Sequence, residues 1–279
     1  MSKKWFYEKH SPSTVYGYEV SPVYEEKTKF QHLQIADNEH FGRMLILDEV
    51  VQTTEKEEFI YHEMMSHLPI MALNRPVQSI LIIGGGDGGI LKQCLKHESL
   101  KRITMVDIDQ RVIEISKEML FFSDAFDDPR FELIVGDGAA YVAGEVAQSR
   151  KFDVIIVDSP DPIGPAKILF EMPFYQDIRK CLNDDGVMVR QAGVPVFQAP
   201  ELKEAVERVS RCFPKVEVYR GVVPVYGGDM AFVIASADGH SCKTPRTKFT
   251  GNYYNKPFHQ AAFSLPTWWY DLTGLTMDE

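Results

Sequence analysis

Two carboxylates three residues apart, Asp158 and Asp161, sit in the proline-rich run Asp158-Ser159-Pro160-Asp161-Pro162-Ile163-Gly164-Pro165. Turn chemistry accounts for the prolines and for one Asp, but it does not require a second acid at the mouth of the same cleft. One such acid can take a proton while the other holds a cation. A further acid, Asp87, stands inside Gly84-Gly85-Gly86-Asp87-Gly88-Gly89, between the apolar run Ile80–Ile83 and the periodic segment Ile90–Leu95. Strand, glycine turn and helix in that order grip nucleotide-type ligands, because the backbone turns sharply and lies against the ligand with no Cβ between them. Tight βα turns without a ligand need glycine too, so the surroundings decide.

About 20 residues past the turn, where an acid can accept hydrogen bonds from ribose hydroxyls, a second strand, Arg102–Val106, is closed by Asp107-Ile108-Asp109. The ligand therefore reads as adenosine-like. Dinucleotide sites avoid a carboxylate facing their pyrophosphate. Asp87 suits a cation better, and a sulfonium nucleoside such as S-adenosylmethionine, or its decarboxylated form, fits both the ribose acid and the missing phosphate cradle. The lone carboxylate of the turn points to a bound ammonium. Asp137-Gly138, after Phe131–Gly136, is placed to accept from an adenine amino group or to cap a helix, and one Asp can do both.

The elements that must position these residues are legible as a change of pattern. From Trp5 to about Thr54 the signal is strand and turn, with runs at 14–20, 30–36 and 43–48 suggesting antiparallel hairpins in a small β domain. Thr53-Thr54-Glu55-Lys56-Glu57-Glu58 then predicts a helix to about Leu73, opened by a hydroxyl cap and early acids and carrying Phe59, Tyr61, His62, Glu63 and Met64 towards the glycine turn. Beyond Gln78 the pattern is βαβ, with strands at 79–83, 102–106, 131–135, 153–157, 186–190, 215–220 and 230–236 and helices at 89–97, 110–121, 138–147, 171–182 and 200–212. That is an α/β fold with a mostly parallel, Rossmann-like doubly wound sheet, divided as residues 1–56 and 57–279. Ligands bind beyond the carboxyl ends of such strands, where Asp87, Asp107, Asp137, Asp158 and Gln191 fall.

The net charge of −10 argues against nucleic acid and is compatible with a cationic substrate. Cys94, Cys181, Cys212 and Cys242 are widely spaced, read as reduced thiols of a cytoplasmic protein, and no cluster has metal spacing. No signal peptide and no membrane span is expected. His32, His67 and His97 read as structural or exposed, and Trp268-Trp269-Tyr270 as a packing or subunit-contact patch.

In sequence the chain resembles the polyamine aminopropyltransferases, most closely the spermidine synthases. The resemblance runs from Trp5 to about Pro266 and is carried by Trp5-Phe6-Tyr7-Glu8, Phe30-Gln31-His32-Leu33, Val51-Gln52-Thr53-Thr54-Glu55, Glu58-Phe59-Ile60-Tyr61-His62-Glu63-Met64, the glycine turn, Val106-Asp107-Ile108-Asp109, Asp127-Asp128-Pro129-Arg130, the proline-rich run, Tyr253-Tyr254 and His259–Pro266. It implies a dimer or tetramer that moves the aminopropyl group of decarboxylated S-adenosylmethionine, as co-substrate and with no other cofactor, onto a diamine or polyamine. By position Gln31, His62, Asp87, Asp107, Asp137 and Gly138 would hold the donor. Trp5, Tyr61, Asp158, Asp161, Gln191 and Tyr226 would hold the acceptor, with Asp158 as base, Tyr61 or Tyr226 bonding the attacking nitrogen and Asp161 anchoring the distal ammonium.

That chemistry needs such residues. An amine attacks carbon only when neutral, and moving its proton from pKa ~10 to a carboxylate of ~4 costs roughly 8 kcal/mol in water. A nearby sulfonium and apolar walls lower the amine, and desolvation raises the carboxyl, so the gap shrinks in a closed site. Departures from the family pattern gather at the acceptor: Pro160 before the second acid, Leu47-Asp48-Glu49, Arg190 before Gln191, and the short segment Pro224-Val225-Tyr226-Gly227-Gly228-Asp229. They leave the acceptor open among putrescine, cadaverine, agmatine, spermidine and an amine carrying a carboxylate, its length set by Asp161, Glu49, Asp229 and the walls. Rival readings are a methyltransferase, transfer of a carboxylated four-carbon arm, and a non-catalytic nucleoside or polyamine sensor.

Overall fold

In the computed structural model, which describes residues 2–159, 168–169 and 171–277, the run Ile80–Ile83 lies within a seven-stranded sheet. Ile80 and Ile82 enter one buried cluster and Leu81 and Ile83 another, the two faces imposed by a period of two residues. Both faces are covered, which is why every position of the run Ile80–Ile83 is apolar. The sheet comprises β6 (Ser79–Gly84), β7 (Arg102–Asp107), β8 (Phe131–Val135), β9 (Phe152–Asp158), β10 (Leu182–Gln191), β11 (Lys215–Val223) and β12 (Gly228–Ser236), in the order β11-β12-β10-β9-β6-β7-β8. Strands β6 to β10 pair parallel, and β12 runs antiparallel to β10 and β11. α1 (Glu58–Ala72), α2 (Gly89–Leu95) and α3 (Gln110–Met119) cover one face, while α4 (Gly138–Ala147), α5 (Met172–Cys181) and α6 (Pro195–Ser210) cover the other. After β6 the chain adds β7 and β8 on one side and then returns to place β9 on the other. This switch between β6 and β9 opens a crevice at the strands' carboxyl ends.

The N-terminal sheet is an antiparallel meander of β1 (Lys4–Ser11), β2 (Thr14–Lys27), β3 (His32–Asn38), β4 (Gly42–Leu47) and β5 (Val50–Thr54). Three strands are expected from the sequence and five are found. β1 escapes notice because its inward positions, Phe6, Glu8 and His10, mix one apolar residue with two ionisable ones. Nor does the expected hydroxyl cap of α1 form. Thr53 and Thr54 finish β5, Glu57 takes the cap position, and its carboxylate instead accepts from the Val225 backbone N–H at 2.8 Å. The meander leans on the large sheet, with the Tyr18 hydroxyl donating to Val225 O (2.9 Å) and the Arg43 guanidinium to Met119 O (3.0 Å).

The chain closes with α7 (Lys256–Ala261) and α8 (Thr267–Thr273), whose Trp269 is buried while Trp268 is exposed. Glu63 does not face the crevice as expected. It lies on the opposite side of α1, accepting from the backbone N–H groups of Asn252, Tyr253 and Tyr254 at 2.8 Å each, and Met64 is buried in the core. All four cysteines are free thiols. Among the described residues no helix is long and apolar enough to cross a membrane.

Candidate active site

Gly84, the last residue of β6, pairs with Asp158, the last of β9. The two backbones meet so closely that a Cβ on Gly84 would lie 1.8 Å from Asp158 O, and its φ of +84° is one that L side chains avoid. At the far end of the turn Gly89 begins α2 beneath the His62 ring, where a Cβ would stand 2.1 Å from Cε1. The glycines therefore bring Asp158 and His62 against the turn that carries Asp87.

The Tyr61 hydroxyl donates to Asp158 Oδ1. Burial, then the neighbouring Asp87 and Asp107, push the Asp158 carboxyl up, while the Tyr61 hydrogen bond and His62 pull it down, leaving it at about 6. Beside this pair, His62 Nε2 lies 3.2 Å from Asp87 Oδ2 and Nδ1 lies 2.6 Å from Glu58 Oε2, with Lys92 Nζ 3.6 Å from the other Glu58 oxygen. Burial lowers His62, but Asp87 and Glu58 outweigh it and raise the imidazole to about 10, so it is an imidazolium at neutral pH. The glycine-turn carboxylate is thus partnered on both oxygens, since Oδ1 also accepts from Gly89 N at 2.9 Å.

Asp107 ends β7 and receives Gly86 N at 3.0 Å and Asp109 N at 2.8 Å. Burial raises its carboxyl to about 6, in spite of those two donors. Gln31 arrives from the other sheet because its amide donates to Asp109 Oδ2 (3.0 Å), beside the Thr28 hydroxyl (2.6 Å). Gln191, at the end of β10, is locked as well, donating to Ser159 O (3.0 Å) and accepting from Gly193 N (2.7 Å). The Tyr226 ring stands 5.9 Å from that of Tyr61, and its hydroxyl donates to Gln52 O.

Asp137 Oδ1 caps α4 through Ala139 N (2.8 Å) and Ala140 N (3.0 Å), and Gly138 is glycine because a Cβ would lie 2.5 Å from the Ile83 side chain. Trp5 is 58% exposed, on the outward face of β1 stacked with Tyr7, since alternation turns Phe6 and Glu8 inward instead. Asp229 is ion-paired with Arg220 at 2.8 Å, and Glu49 is exposed at a turn with φ +67°. Arg190 is buried, donating to Gln191 O (2.8 Å) and to the Tyr175 hydroxyl, with Glu201 at 3.9 Å as the nearby acid. Pro160 and Asp161 lie outside the described residues. His67 and His97 form a buried pair, 2.9 Å between Nδ1 and Nε2.

Comparison with known proteins decides what kind of site this is. The spermine/spermidine synthase domain matches residues 58–245, and the spermidine synthase tetramerisation domain matches residues 4–55. The chain belongs to the spermine/spermidine synthase family. It is an aminopropyltransferase of polyamine biosynthesis. Polyamine aminopropyltransferase 1 of Pseudomonas aeruginosa is 44% identical over 256 residues, 88% of each chain, and the polyamine aminopropyltransferase of Bacillus subtilis is 40% identical over 98% of this chain and 99% of its own. A spermidine synthase solved in complex with the transition state analogue AdoDATO superposes with a TM-score of 0.90 at 34% identity, covering 98% of this chain and 96% of that one. Spermidine synthase from Thermotoga maritima gives 0.89 at the same identity, covering 98% and 95%.

In this aminopropyltransferase the structure gathers Tyr61, His62, Asp87, Asp107 and Asp158 at the switch point. Sequence reasoning missed Glu58 and Asp109, which hold His62 and Gln31. Glu58 was findable, since it precedes His62 by four residues on one helix face. Asp109 was not, because its partners come from a separate sheet.

Proposed function

We propose that the enzyme transfers the aminopropyl group of decarboxylated S-adenosylmethionine to putrescine, giving spermidine and 5′-methylthioadenosine, and works as a cytoplasmic homodimer or homotetramer. The observation that carries this reading is the Tyr61–Asp158 hydrogen bond, set beside Asp87 at the end of the glycine turn. The putrescine nitrogen attacks the methylene next to the sulfonium. A C–N bond forms, the C–S bond breaks, and its electron pair leaves with sulfur as the neutral thioether. The nitrogen's proton passes to Asp158, whose raised carboxyl is matched to the task. Asp87 would hold the donor's ammonium, with His62 moderating its charge, while Asp107, Asp137, Gly138 and Gln31 hold the nucleoside. Tyr226, Gln191 and Asp161 complete the acceptor side. Asp87, Asp107 and Asp158 together repel a carboxylate, which disfavours intact S-adenosylmethionine and hence methyl transfer.

The test is a mass-spectrometric assay of purified protein with decarboxylated or intact donor and single amines. Methylthioadenosine from the decarboxylated donor alone, with a putrescine product heavier by one aminopropyl group, is expected. Turnover of another amine in preference to putrescine would replace the acceptor, and no turnover with any amine would overturn the reaction.

A further inference from the structure

Next to Tyr226 the chain packs against the N-terminal sheet. Tyr226 adjoins Gly227, whose φ is +88° and whose added Cβ would lie 2.7 Å from Tyr16 Cε2, so the Tyr16 ring covers it. The Tyr16 ring lies 4.3 Å from that of His10, and His10 lies 5.2 Å from Phe197 of α6. Aromatic rings therefore follow from Tyr61 to Tyr226 and, across Gly227, from Tyr16 to His10. At their end is Glu8, only 4% exposed, on the same inward face of β1. His10 Nε2 lies 3.9 Å from Glu8 Oε2, its side chain is 10% exposed, and Nε2 is buried with no hydrogen-bond partner among the described residues.

A carboxylate and an imidazole nitrogen at that spacing can both be reached at about 2.9 Å by one nitrogen between them. Burial lowers His10, which keeps the imidazole neutral and its nitrogen able to accept. The Tyr226 hydroxyl is pushed up by burial and then by Asp158, Asp87, Glu8 and Glu57, so Glu8 lies in the same electrostatic neighbourhood as the base. Sequence reasoning gave the distal ammonium to Asp161 alone.

We propose that Glu8 and His10 form the distal amine site of the acceptor cleft, Glu8 binding the second ammonium of a diamine and His10 Nε2 accepting one of its hydrogen bonds. This rests on the proposed transfer to a diamine. Glu8 is then a specificity-determining residue that selects two-headed acceptors and sets their length.

The test compares putrescine with butylamine, which has the same carbon chain but lacks the second ammonium. Calorimetric binding of each is measured in the presence of 5′-methylthioadenosine for wild type and Glu8→Gln. The variant is expected to weaken putrescine about 30-fold, the scale of a lost charged hydrogen bond, and to change butylamine by less than about threefold. Equal losses for both amines, or no loss for putrescine, overturn the proposal. Glu8→Asp keeps the charge but withdraws it by one methylene, so it should shift preference from putrescine towards cadaverine; an unchanged ratio also overturns the proposal. These ratios are read from binding, so failed turnover in the wild type would sink the proposed reaction without being confused with failure of the distal site.

Discussion

Tyr61 and Asp158 set each other's proton affinity. Burial first, and then Asp158, hold the Tyr61 hydroxyl well above its ordinary value, so it stays a donor, and its donation offsets part of the rise that burial and Asp87 impose on Asp158. A base must be ionised to act, so activity should rise with pH through about 6 once the acceptor's own titration is divided out. Removing the donor in Tyr61→Phe destabilises the carboxylate and moves that limb upward. The pH profile of kcat/KM should then show a loss several-fold larger at pH 6 than at pH 8, whereas a uniform loss would argue that Tyr61 only packs. His62 carries the opposite sign. Its folded value of about 10 exceeds the ordinary 6.5, so its stabilisation is complete below 6.5 and is lost as pH rises towards 10. In Glu58→Gln one of the two raising acids is gone, so the decline in thermal stability above pH 6.5 should be smaller and should end at a lower pH, and NMR titration of the His62 ring should show its midpoint lowered.

At the scale of elements, the glycine turn works because β6 and β9 touch through Gly84 and Asp158. Gly84→Ala demands a left-handed residue at φ +84° and drives a Cβ into Asp158 O. Thermal unfolding should show a loss of about 2–4 kcal/mol, the sum of a left-handed penalty and an overpacking penalty. A loss under ~1 kcal/mol would mean that the turn relaxes freely. The same contrast explains what was legible. Strands 79–83, 102–106 and 131–135 announce themselves by mostly apolar, β-branched runs, and the acids that follow them mark the crevice. β1 is opaque because Glu8 and His10 occupy inward positions, and the start of α1 is misread because Thr53 and Thr54, good capping residues, serve as strand residues in β5.

At the scale of the whole molecule, the site joins two sheets that sequence reads separately. Asp158, Asp87 and Asp107 were identifiable from their own strands, but the partners that orient them, Tyr61 from α1 and Gln31 through Asp109, are long-range and carry no local pattern. The N-terminal sheet also presents Trp5 and Tyr7 to solvent on its edge strand, within the stretch matching a tetramerisation domain. Light scattering should therefore give a mass of two or four copies, and a single copy would contradict the assembly proposed. The central claim is that Asp158 takes the proton of the attacking amine. The most direct measurement is the single-turnover rate of methylthioadenosine release in Asp158→Asn, with donor affinity measured on the same sample. A fall of about 10²–10⁴-fold with donor affinity within about threefold of wild type is predicted. A rate within about threefold of wild type would contradict the account.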